Sequence, residues 1–96
     1  MKLNSAMVER TLRQYEAQPM AENHPAVQKL RRMYGDHTYL LGATGLHIVE
    51  PAGSTRSGGQ AGKLVKLADW TDRTRTRLAP HNPEPTDVVV TLDGED

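Results

Sequence analysis

Two β-forming runs, residues 37–41 and 46–50, flank the tetrapeptide Gly42-Ala43-Thr44-Gly45. A glycine-bounded turn between extended runs predicts a β-hairpin, and this hairpin constrains the fold more than any other stretch. Pairing symmetric about the turn sets Leu41 opposite Leu46, Tyr39 opposite Ile48 and His37 opposite Glu50. Because side chains alternate along a strand, those six share one face, and Thr38, Leu40, His47 and Val49 share the other. The first face carries the larger apolar groups, so it is expected to form the core beneath a helix.

Two helices are expected ahead of the hairpin. In residues 4–18, Asn4 or Ser5 can cap the first turn. Val8, Leu12 and Tyr15 follow at i, i+4 and i+7, and Pro19 ends the segment. The apolar stripe is narrow, so loose packing is expected. In residues 25–34, Pro25 suits the first turn, and Ala26, Val27, Leu30, Met33 and Tyr34 make a broad stripe. Arg31 and Arg32 sit where the helix dipole favours cations, and Gly35 supplies a left-handed closing residue.

Beyond the hairpin, residues 51–62 are small, polar and glycine-rich, predicting a flexible loop. Residues 63–68 and 88–92 read as strands. The segment 69–78 mixes cap residues with three threonines and gives no clear element. The three prolines of 79–86 predict extended chain without ladder donors. The acidic residues 93–96 are expected to be mobile. Helices followed by strands indicate an α+β class. The expectation is one domain over 1–96, with two N-terminal helices packed on one face of a four-stranded, mainly antiparallel sheet.

Composition narrows the chemistry. The 96 residues contain no Cys, which excludes disulfides and thiolate metal sites. They contain 18 Leu, Val and Ile but no Phe, so the core is modest, and self-association would complete it. No apolar run is long enough to span a membrane. The polar segment 1–18 has no signal-peptide core, and a cytoplasmic location is expected. A net charge of zero weighs against general nucleic-acid binding.

The motifs are weak. Residues 57–63 resemble a phosphate-binding loop, but position 57 is Ser, Leu64 follows Lys63, and a strand comes next. No cofactor is expected. The four histidines lack metal-ligand spacing, and His37 and His47 lie on opposite hairpin faces, so no metal site is expected. Asp36, His37 and Glu50 form the most compact polar cluster, in which a carboxylate orients a general base, but no nucleophile accompanies them. Arg73, Arg75 and Arg77 alternate with threonines. In an extended segment they would line one side, suited to an anion, although no interleaved aromatics exist to stack bases.

The stretches His24-Pro25-Ala26-Val27, Tyr34-Gly35-Asp36-His37-Thr38-Tyr39, Gly45-Leu46-His47-Ile48-Val49-Glu50-Pro51 and Thr86-Asp87-Val88-Val89-Val90 resemble a small family of uncharacterised proteobacterial proteins, a domain of unknown function. The resemblance covers about residues 23–92. It implies a compact α+β bacterial domain and carries no site residues.

Three functions remain for test. The first is a non-enzymatic module binding a protein partner or itself through the sheet face of Leu40 and Val49, which two helices on one side would leave open. The second is a small metal- or ligand-dependent enzyme using Asp36, His37 and Glu50. The third is nucleic-acid binding through Arg73, Arg75 and Arg77.

Overall fold

A computed structural model describes residues 2–54 and 59–92. Seven elements follow one another: α1 (Ser5–Gln14), β1 (Ala17–Pro19), α2 (Pro25–Tyr34), β2 (Leu40–Gly42), β3 (Gly45–Ser54), β4 (Gln60–Trp70) and β5 (Leu78–Thr91). The strands form one antiparallel sheet in chain order. The α+β class therefore holds, with five strands where four were expected. The added strand is β1, from a segment read as helix. Helix α1 stops at Gln14, and Pro19 closes the short edge strand that follows.

Helix α2 has the expected limits. His24 caps it through Nδ1, which accepts from the Ala26 N–H at 3.1 Å. Gly35 ends it at φ +100, a conformation that costs a side-chain-bearing residue energy. The hairpin register is also as read: Leu41 faces Leu46 and Leu40 faces His47. Gly45 is indispensable to it. Its φ is +151, and a Cβ there would overlap the Ala68 carbonyl oxygen.

Both faces of the sheet are buried. On one, Tyr39, Leu46, Ile48, Val65, Leu67 and Ala68 join Val27 of α2, with Leu30 and Tyr34 packed against them. The Tyr39 hydroxyl shares its proton between the Gly35 carbonyl at 2.8 Å and the Leu30 carbonyl at 3.0 Å. It thereby ties the end of α2 to the start of the hairpin. On the other face, Leu40, Val49, Leu64, Val90 and Leu92 join Leu3, with Met7, Val8 and Tyr15 of the α1 region against them. The helices thus pack on opposite faces, which corrects the one-face arrangement. Of the expected α1 stripe, Val8 and Tyr15 do face this core, but the fully buried position is not among them. It is Thr11, whose hydroxyl bonds back to the Met7 carbonyl at 2.8 Å and so enters the core with its polarity satisfied.

The interface expected at Leu40 and Val49 is therefore not an open surface: both residues are 0 % exposed beneath α1. The glycine-rich stretch is also more ordered than expected. Residues 51–54 extend β3 and 60–62 begin β4. Residues 55–58 and the acidic tail 93–96 lie outside the described residues. The proline-rich segment is part of β5, which is longer than its partner requires. Three residues, 81–83, intervene between the pairs Ala68–Pro80 and Lys66–Glu84, and three more between Val65–Pro85 and Lys63–Val89. Proline is tolerated there because β5 is an edge strand with bulges.

Leu40 provides a test of the two-sided core. As an open interface residue it would tolerate truncation within a few tenths of a kcal/mol. Buried as described, Leu40→Ala is expected to cost about 2–5 kcal/mol, read as a lower urea midpoint with an unchanged slope.

Candidate functional site

The turn between β4 and β5 is closed at its base by the Thr71 N–H donating to the Arg77 carbonyl at 3.0 Å. Inside it, the Asp72 carboxylate accepts from the Thr76 N–H at 2.9 Å, from the Thr74 hydroxyl at 2.8 Å and from the Thr76 hydroxyl. Those bonds, led by the Thr76 hydroxyl, pull the Asp72 carboxyl down to about 2. The threonines that weakened any helix reading are thus ligands of one aspartate, a common way for Asp to fix a turn. Arg75 sits at φ +56, the only positive φ outside glycine among the described residues.

This geometry corrects the extended reading of Arg73, Arg75 and Arg77. They do not line one side of a strand. They project, all exposed, from a closed turn. Arg75 alone forms part of the wall of a groove of about 600 Å³. The opposite wall is Glu16, Ala17 and Gln18, entering β1. Residues 41–43 and Trp70 complete it. The Trp70 indole N–H donates to the Gly42 carbonyl at 2.8 Å, fixing the ring between the hairpin turn and β4. The groove therefore offers a guanidinium on one side and a carboxylate and an amide on the other.

The cluster expected at Asp36, His37 and Glu50 is only partly assembled. Asp36 is drawn away by Arg31 at 3.4 Å and Lys2 at 3.6 Å. His37 uses Nε2 to donate to the Tyr34 carbonyl at 2.9 Å, leaving Nδ1 3.7 Å from Glu50. His37 thus ties the end of α2 to β3. His37 and His47 do lie on opposite faces: the first meets Tyr39 and the second Tyr15, each edge to face. Among the described residues, no three of His, Asp and Glu come together as metal ligands.

A second polar cluster escaped the sequence reading. His47 is 1 % exposed. Its Nδ1 donates to the Gly45 carbonyl at 3.1 Å, and its Nε2 lies 3.4 Å from both the Tyr15 and Thr44 hydroxyls. Burial, and then the Lys66 charge, push the imidazole below its ordinary value. Beside it, Lys66 meets Asp69 at 2.7 Å, and His81 meets the same carboxylate at 3.2 Å. The hydrogen bond between Lys66 and Asp69 raises the lysine and lowers the aspartate. Residues three apart on a regular strand point to opposite faces. Here Leu67 is an extra residue between the pairs Leu46–Ala68 and His47–Lys66, and this bulge brings Lys66 and Asp69 to one side. Nothing in the sequence marks it.

Compared with protein-family models, curated proteins and solved structures, the chain matches none. Any functional reading rests on the geometry above. Among the described residues, no helix is long and apolar enough to cross a membrane.

The buried imidazole sets a pH dependence. A His whose folded value is depressed favours the unfolded state once protonation begins, because the unfolded chain binds the proton first. Stability is therefore expected to be full above about pH 6.5, the unperturbed His value. It should fall as the pH drops toward 5, with a slope of at most about 1.4 kcal/mol per pH unit from this one group. In His47→Gln that part of the slope should vanish in urea unfolding at pH 7.5 and 5.

Proposed function

We propose that the chain is a non-enzymatic binding module that takes an acidic segment of a partner protein at the groove between β1 and the β4–β5 turn. The carrying observation is Arg75, held in a positive-φ conformation by a turn that Asp72 locks, and part of the groove wall. Arg73 and Arg77 are exposed on the same turn. A non-glycine residue in that conformation is uncommon and accompanies functional constraint more often than chance allows. Guanidinium groups suit carboxylates through paired hydrogen bonds. The Gln18 amide in the same groove suits a peptide backbone. The zero net charge and a single Trp favour a protein partner over nucleic acid. The reading no longer draws on Leu40 and Val49, which α1 covers, or on Asp36, which its two cations hold away from His37.

Arg75→Gly separates binding from folding, because glycine occupies positive φ without strain. The expected result with a short Glu-rich peptide at low salt is chemical-shift change at Trp70, Gly42 and Arg75. Affinity should fall about tenfold in Arg75→Gly, as loss of one charge-assisted contact implies, with stability equal to or above that of the parent. No shift at these residues, or tighter binding of a single-stranded oligonucleotide than of the peptide, would overturn the reading.

A further inference from the structure

We infer that Gln14 is a guard on the sheet edge, standing in for a neighbouring strand at Thr91 so that no other chain can pair there. The Leu92 N–H donates to the Gln60 carbonyl at 2.8 Å, inward to β4. Backbone groups alternate in direction along an antiparallel ladder, so the N–H and carbonyl of Thr91 point away from β4. One side chain meets both. Gln14 donates through Nε2 to the Thr91 carbonyl and accepts through Oε1 from the Thr91 N–H, each at 2.8 Å. Its Nε2 also donates to the Arg10 carbonyl at 3.0 Å, so the amide is held by the helix it stands on. A primary amide carries the donor and acceptor of a peptide group, and this one lies where the backbone of a sixth strand would run.

The position of this contact along β5 gives it a purpose. Strand β5 is an edge of the sheet, and an unpaired edge is a template for pairing with other chains. Over most of its length other devices blunt it. Pro80, Pro83 and Pro85 have no N–H to offer, and bulges interrupt the ladder on either side of Pro85. From Val89 to Thr91 the pairing with β4 is regular again. That stretch lies in the uncharged run Val88-Val89-Val90-Thr91-Leu92, which has the strong β propensity and low charge of segments that add strands. Val89 within it is 57 % exposed. Its outward rungs are Val89 and Thr91. Gln14 takes the second, and the first is left isolated between a bulge and the amide. Without that amide, two consecutive rungs would lie open beside an exposed valine.

Gln14→Ala removes the amide at an exposed position of α1, where alanine favours the helix. In hydrogen exchange, the Thr91 N–H of this variant is expected to exchange about tenfold faster than in the parent, relative to the amides of β4, as loss of its one bond implies. Sedimentation should show Gln14→Ala associating as concentration rises, more than the parent does. Gln14→Glu should do the same at pH 7, since a carboxylate has no proton to give the Thr91 carbonyl. Adding Val89→Lys, an exposed change that charges the same edge, should return Gln14→Ala to the parent's mass. The inference would be overturned by any one of three results: relative Thr91 exchange as slow in Gln14→Ala as in the parent, a variant no more associated than the parent, or association that survives Val89→Lys.

Discussion

A sheet with apolar side chains on both faces must be covered twice, and the β2–β3 hairpin is such a sheet. Tyr39, Leu46 and Ile48 point one way, and Leu40 and Val49 the other. With so few large residues, neither face can be left to water, since each full burial of Leu, Val or Ile contributes about 1.5–3 kcal/mol. The chain meets this by reaching both faces in sequence. Helix α1 covers one face, the chain pairs as β1 at the sheet edge, and α2 covers the other. Strand β1 is short because its task is to carry the chain around that edge. Pro19 has no N–H to offer a further strand, so this side of the sheet is closed to extension.

The polar residues on the α1 face are accommodated by the same packing. His47 is buried as a neutral ring because its Nδ1–H has the Gly45 carbonyl and its Nε2 faces two hydroxyls. A buried polar group that is satisfied costs little, and an unpaired one costs much. Lys66 and His81 share the Asp69 carboxylate at the half-exposed margin. This cluster brings two imidazoles, a lysine and an aspartate close together, with the Asp69 carboxylate between Lys66 and His81.

What the sequence disclosed follows from how local each signal is. The limits of α2 and the register of the hairpin were legible, since a proline start, a glycine stop and a glycine-bounded turn act within a few residues. The inward face of α1 was legible only in Val8 and Tyr15, because its fully buried position is Thr11, polar in type and masked by a backbone hydrogen bond. The length of β5 was hidden by Pro80, Pro83 and Pro85, which argue against a strand unless it is known to lie at an edge. For Leu40 and Val49 the alternation gave the right face, but the open-surface expectation failed, since no periodicity says which face a distant helix will take. Of the three arginines, the residue types were visible. The closed turn was not, as it depends on Asp72 gathering two threonines.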